Sequence, residues 1–83
     1  MNAQEIKSDT LTLLLCNQVH KNLDDKSRSI KIAKCCKVIR DRTKDKVLYE
    51  VCRAFINENS SGKYSSVLKK VNKMQKKYYR EYK

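Results

Sequence analysis

The sequence contains no proline and a single glycine, Gly62, among its 83 residues. Strands need these residues for the tight turns between them, so their scarcity argues against a multi-stranded sheet. Helix-favouring Lys, Leu, Glu, Gln and Arg are frequent instead. A chain of this length is expected to form one domain, here residues 1–83. The composition therefore predicts an all-α fold, a compact bundle of about four helices.

Long hydrophobic runs are also missing. The longest, Leu13–Cys16, is far shorter than the roughly 20 residues that a membrane span requires. The first residues lack the basic-then-apolar layout of a secretory signal. We therefore expect a cytoplasmic protein that is not integral to the membrane, with its four cysteines reduced.

The residues of common catalytic sites are scarce. His20 is the only histidine, and the sequence has neither a Gly-rich phosphate loop nor a G-x-S-x-G elbow. The neighbouring Asp24 and Asp25 are better explained as helix punctuation than as a catalytic carboxylate pair. We therefore expect no enzymatic activity.

The four cysteines, Cys16, Cys35, Cys36 and Cys52, form no C-x2-C knuckle. Cys16 and His20 lie one helical turn apart and have the spacing for two ligands of a tetrahedral zinc ion. However, adjacent Cys35 and Cys36 point about 100° apart on a helix, which disfavours joint ligation. Because free cysteine packs as a small hydrophobe, we expect core filling, with no metal and no cofactor.

Positive charge is what the chain has in excess. Twenty Lys and Arg against nine Asp and Glu give a net charge of +11, which attracts nucleic acid, an anionic membrane or an acidic protein surface. The alternative is a set of solvated lysines without a partner.

Residues 63–83 carry eight cations and one anion. Their apolar residues have the spacing of one helix face, namely Tyr64, Val67, Leu68, Val71, Met74, Tyr78 and Tyr82. The last segment is therefore predicted to be a basic amphipathic helix.

A first helix is predicted over about residues 4–22, with Leu13 and Ile6 on the side opposite its main stripe. That stripe consists of Leu11, Leu14, Leu15, Val19 and Leu23. Because this helix is apolar nearly all round, we expect it to be the central helix, with a protein contact as the alternative.

A second helix is predicted over about residues 27–41. Its core face consists of Ile32, Cys35, Cys36 and Ile39, and its cationic row consists of Lys31, Lys34 and Lys37. Ile30 and Val38 lie beside that row. They are either ordinary exposed aliphatic residues or part of a contact patch.

A third helix has a core stripe of Val47, Leu48, Val51, Cys52, Phe55 and Ile56, and residues 57–62 form a loop after it. Helix caps are predicted at Asn2, in the segment 24–27, at Thr43 or Asp45, and at Ser60 or Ser61.

The tyrosines near the end of the chain lie among cations, a pattern that many proteins use to stack single-stranded nucleic acid. Tyr78 and Tyr82 also continue the apolar stripe, and only Tyr79 points clearly away from it. No helix-turn-helix turn with its usual glycine fits between the second and third helices. A small basic nucleic-acid-binding regulator therefore stays as the alternative function. A Lys-rich amphipathic helix also suits an anionic lipid surface, although the small core needs its apolar residues.

Three stretches, Asn2–Leu11, Asp45–Asn57 and Lys76–Lys83, together with the length and the Pro-free, Lys-rich and Cys-containing composition, carry a resemblance over the full chain. The chain resembles the rIII lysis-inhibition accessory proteins of T-even-type bacteriophages, a family of small cytoplasmic antiholins. The resemblance implies action in the host cytoplasm, where the protein would bind the cytoplasmic N-terminal part of the phage holin and help to delay lysis.

We expect the partner surface to combine aliphatic side chains with the lysine rows. Its predicted members are Leu13, Ile30, Lys31, Lys34, Lys37, Val38, Lys73, Lys76, Lys77, Tyr79 and Arg80. In this hypothesis an apolar groove binds the holin segment while the basic face lies toward anionic headgroups. An anionic membrane surface and a second copy of the chain are further candidate partners.

Overall fold

The computed structural model describes the backbone of residues 3–82 and the side chains of residues 9–78. Its four helices are α1 (Ala3–Val19), α2 (Asp25–Arg42), α3 (Lys46–Ser60) and α4 (Tyr64–Tyr82). No strand occurs between residues 3 and 82, so the all-α prediction is confirmed. The radius of gyration, 12.0 Å, matches the roughly 12 Å expected for a compact chain of this length.

Two aspartates begin the middle helices as predicted. Asp24 accepts a hydrogen bond from the backbone N–H of Ser27 at 2.7 Å, and Asp45 accepts from two N–H groups at the start of α3. Each satisfies backbone donors that the first helical turn leaves unpaired. Thr43, the alternative cap of α3, instead ends α2. The predicted cap at Asn2 lies outside the described residues.

The turn between α3 and α4 depends on Gly62, the one glycine of the chain, which adopts φ +77°. This left-handed conformation lets the N–H of Lys63 return to the carbonyl of Glu58 at 2.9 Å, the pattern of a Schellman motif. Ser60 is the last residue of α3 and Ser61 is its C-cap. The prediction that one of these serines caps α4 is therefore wrong.

The central helix is α2, which packs against all three other helices and most extensively against α3. Its buried Ser29, Ala33 and Cys36 are small and lie on one side, so the neighbouring backbone can approach closely. The Ser29 hydroxyl also donates to Oδ1 of Asn59 in α3 at 2.8 Å. The prediction that α1 is the central helix is wrong, since α1 packs chiefly on α2 and α4.

The core draws on every helix. It comprises Leu13, Leu14, Ile32, Cys36, Ile39, Leu48, Cys52, Phe55, Val67, Leu68 and Val71. Burial of each large aliphatic or aromatic side chain stabilises the fold by about 1.5–3 kcal/mol. The core-filling role predicted for Cys36 and Cys52 is confirmed, because neither has exposed surface. Val47 was placed on the core stripe of α3, but it is 74% exposed because it lies at the outer start of that helix.

The orientation of α1 is a second correction. Leu13, predicted on a partner-binding face, is fully buried. It lies between Asp9 and Asn17 at i, i+4 and i+8, and both of these polar residues are buried as well. Of the predicted stripe only Leu14 is buried. A hydrophobic periodicity omits polar positions such as Asp9 and Asn17, so it misjudged the orientation of a helix that has leucine almost all round.

Candidate functional site

An exposed apolar surface lies on the outer side of α1. We call Leu11, Leu15 and Val19 the α1 stripe; they are 41%, 53% and 75% exposed. Residues four apart lie on one side of a helix, so these three side chains form a continuous row. Leu23, in the turn after α1, is also exposed. Clustered apolar surface of this kind marks an interaction site more often than single exposed residues do.

A buried polar cluster sets the rotation of α1. The Asn17 side chain is fully buried, and its Nδ2 donates to Oδ1 of Asn72 and to Oε1 of Gln75, both at 2.9 Å. Nε of Arg28 donates to Oδ1 of Asn17 at 3.0 Å. These three hydrogen bonds all meet at Asn17, and they connect α1 to both α2 and α4. Since a buried amide is costly unless it is paired, they hold Asn17 inward and the α1 stripe outward.

An ion pair repeats this constraint about two helical turns closer to the start of α1. Asp9 is buried, and its Oδ1 lies 2.8 Å from both Nε and Nη2 of Arg42 near the end of α2. The charge-assisted contact stabilises the inward position of Asp9. Sequence reasoning missed this cluster and this pair, and the only signal available was the spacing of Asp9, Leu13 and Asn17.

The predicted partner residues fall into separate groups. Val38 is 59% exposed on the surface of α2. Ile30 is partly buried, and Leu13 lies in the core. The exposed lysines among them are Lys31, Lys34 and Lys37 on α2 and Lys73, Lys76 and Lys77 on α4. The side chains of Tyr79 and Arg80 lie outside the described residues.

Helix α4 presents charge rather than apolar surface. Its Val67, Leu68 and Val71 are core residues, and Met74 and Tyr78 pack against that core. The stripe that would insert into a lipid surface is thus already used in folding. Among the described side chains of α4, the lysines are therefore the candidates for binding.

The cysteines lie in two pairs at helix interfaces. Cys16 of α1 and Cys35 of α2 are both half-buried, and the buried Cys36 and Cys52 join α2 to α3. The Cys35 thiol and the neighbouring His20 lower the pKa of Cys16 to about 6, against an opposing effect of burial. The Cys36 thiol likewise lowers the pKa of Cys52, while Cys52 and burial raise the pKa of Cys36.

Other kinds of site find little support between residues 9 and 78. No group of three or more His, Cys, Asp or Glu side chains in the described part of the chain is arranged to hold a metal ion. Two shallow depressions, of about 520 and 510 Å³, flank the start of α3 around Lys46 and Glu50. Among the described helices, none combines the length and the apolar character needed to cross a membrane.

No family model, curated protein or solved structure matches the chain.

Proposed function

We propose that this protein is a non-enzymatic antiholin of the host-cell cytoplasm, which binds the cytoplasmic N-terminal part of a phage holin and delays lysis. The resemblance of the sequence to T-even-type antiholins names the partner. The single observation that supports a partner-binding role is the α1 stripe, an apolar row in a fold whose core is complete without it.

The surroundings of the α1 stripe favour a partner of one particular chemistry. The stripe is apolar along α1. Lys31 of α2 lies across from Cys16, since its backbone carbonyl accepts a hydrogen bond from the Cys16 thiol at 3.6 Å. The charge of Lys31 acts on the Cys16 thiol, and Cys16 follows Leu15 in the chain, so a cation lies near this part of α1. A complementary segment is an amphipathic helix with aliphatic side chains on one side and carboxylates at the edge.

The proposed mechanism is stoichiometric occupation. A bound antiholin opposes holin assembly only by as much as it binds the unassembled holin more tightly than the assembled one. The exposed lysines of α2 and α4 add to this near the membrane, where anionic headgroups favour each Lys or Arg by about 1 kcal/mol.

Co-expression with a holin in bacteria tests the proposal. Induction of the holin together with the intact protein should delay lysis relative to the holin alone, followed as the optical density of the culture. Leu15→Asp and Val19→Asp should abolish the delay, because each places a carboxylate in the apolar contact. The matched control is Val47→Asp, which changes an equally exposed valine on α3 and should leave the delay intact.

Thermal melts by circular dichroism must show that all three variants fold as the wild type does. Failure of the intact protein to delay lysis would refute the antiholin proposal. An equal loss of delay in the α3 control would refute the assignment to the α1 stripe. A third possibility is that a second copy of the chain covers the α1 stripe. Sedimentation tests it, since the wild type would then be a dimer and Leu15→Asp a monomer.

Polyanion binding is the second candidate, favoured by the exposed lysine rows of α2 and α4. A gel shift on mixed DNA and RNA at two salt concentrations tests it, because phosphate contacts weaken steeply with salt. Binding that disappears at the higher salt and weakens in Lys34→Gln or Lys73→Gln would support this candidate. The absence of any shift at low salt would eliminate it.

A further inference from the structure

Cys16 and Cys35, which we call the outer pair, lie where α1 and α2 run antiparallel. Sγ of Cys16 is 3.6 Å from the carbonyl oxygen of Lys31, and Sγ of Cys35 is 4.0 Å from that of Thr12. Lys31 lies one helical turn before Cys35, and Thr12 lies one turn before Cys16. Each thiol therefore reaches across the interface to the level of the other.

The surroundings of Cys16 favour its thiolate. Nδ1 of His20 is 2.8 Å from the carbonyl oxygen of Cys16, and because a carbonyl only accepts, Nδ1 carries the hydrogen. The same Nδ1 is 3.7 Å from Sγ of Cys16. The Cys35 thiol, and to a smaller extent His20 and the charge of Lys31, lower the pKa of Cys16 to about 6 against the opposing effect of burial, which favours the thiolate at neutral pH.

Cys36 and Cys52, which we call the inner pair, are likewise two neighbouring thiols, but solvent does not reach them. Cys36 and Cys52 have no exposed surface, whereas Cys16 and Cys35 are only half-buried. Oxidation follows thiolate character and exposure together. A small oxidant therefore reaches the outer pair of the folded protein and not the inner pair.

We propose that Cys16 is an oxidation site and that Cys35 is its resolving cysteine, so that hydrogen peroxide converts the outer pair into a disulfide that joins α1 to α2. The Cys16 thiolate attacks one peroxide oxygen, the O–O bond breaks, and sulfenic acid and hydroxide form. The Cys35 sulfur then attacks the Cys16 sulfur, the S–OH bond breaks, and water leaves with the Cys35 proton. The sulfur pair loses two electrons and peroxide gains them.

The disulfide has a consequence for α1. It closes the chain segment that contains the α1–α2 turn and restricts the unfolded state, so the oxidised protein should melt at a higher temperature than the reduced protein. In cytoplasmic proteins disulfides are usually transient and redox-sensing, and a thiol reductant should reverse this one. The inference does not depend on the identity of the partner.

Peptide mapping after treatment of the folded, reduced protein with hydrogen peroxide tests the proposal. We expect one intramolecular disulfide, two hydrogen atoms lost from the intact mass, and a rise in melting temperature that dithiothreitol reverses. Since Cys35 and Cys36 are adjacent, the map is read in Cys36→Ala as well, where the same disulfide should form. Cys35→Ser should instead accumulate a sulfenic acid on Cys16 that dimedone traps.

Cys16→Ser completes the set. After the same peroxide treatment it should contain no intramolecular disulfide. A disulfide between Cys36 and Cys52, a disulfide between two molecules, or oxidation of Cys16 beyond sulfenic acid without a crosslink would each overturn the proposal. Circular dichroism of the reduced variants confirms that the folded protein is compared throughout.

Discussion

Helices α1 and α4 both carry an apolar stripe and both pack on α2, yet they use their stripes in opposite ways. Helix α4 buries Val67, Leu68 and Val71 and turns its lysines outward. Helix α1 buries Asp9 and Asn17 beside its leucines and leaves the α1 stripe in solvent. The apolar surface of α4 is needed for folding. Part of the apolar surface of α1, namely the α1 stripe, does not contribute to the core. That exposed stripe makes α1 the helix on which a partner contact is proposed.

The sharpest test of this difference compares two leucines two positions apart on α1. Leu13→Asp should destabilise the protein by more than about 4 kcal/mol, since truncating a buried leucine alone costs about 2–5 kcal/mol and a buried carboxylate adds its desolvation. A domain of this size has about 4–12 kcal/mol in total, so the variant should lose a large part of its stability or fail to fold even without urea. Leu15→Asp should change the stability by no more than about 0.5 kcal/mol.

Urea denaturation followed by circular dichroism measures both variants. Similar destabilisation by the two substitutions would contradict the orientation of α1 described above.

The buried polar cluster makes the next largest contribution. Asn17→Ala removes the partner of Arg28, Asn72 and Gln75 and should cost about 2–3 kcal/mol, because each buried group left unsatisfied costs about 1–3 kcal/mol and exposed groups regain water. Asn72→Ala removes one bond from an exposed residue and should cost less than about 1 kcal/mol. The free energy of unfolding in urea distinguishes them, and equal values would mean that Asn17 does not organise the cluster.

The smallest effect concerns the contact of α4 with α3. Lys70 and Ser66 donate to Glu58 and lower the pKa of its carboxyl group below the ordinary value of 4.5. Because the unfolded chain binds a proton first on acidification, this stabilisation is present above about pH 4.5 and is lost below it. Lys70 is about half exposed, so the contribution should be less than about 1 kcal/mol.

Melting temperatures between neutral pH and pH 3 measure that contribution. Part of the acid-induced loss seen in the wild type should be missing in Glu58→Gln. The control Glu50→Gln, at a largely exposed glutamate, should follow the wild type. Identical acid profiles for wild type and Glu58→Gln would contradict the assignment.

How far the sequence predicts this fold differs from helix to helix. The stripe of α4 was identified correctly from Val67 to Tyr78, while Tyr82 lies outside the described side chains. Its apolar residues are separated by lysines, so only one face of the helix is able to enter a core. The middle of α3 was identified for the same reason, although Val47 at its outer start was assigned wrongly. In α1 the leucines point in several directions, and periodicity gave no basis for choosing between them.

The candidate site was predicted less well than the fold. The lysines of α2 and α4 are exposed as expected, and so is Val38. Leu13 was assigned to the surface, and Leu15 and Val19 to the core. The facing of Cys16 with Cys35 was also not predicted, because residues this far apart in the chain meet only through the packing of α1 on α2.

The sequence by itself determined that the chain is helical and which face of α4 is buried, since these depend on local preferences and on the separation of apolar from charged residues. It placed two turns only approximately, because α1 ends at Val19 rather than near residue 22 and α3 continues to Ser60 through most of the predicted 57–62 loop. The tertiary structure alone decided which side of α1 faces inward. Asn17 and Asp9 are buried because Asn72, Gln75, Arg28 and Arg42 supply their hydrogen bonds from other helices. A polar residue is stable in a core only when such distant partners are in place, and no local pattern records them.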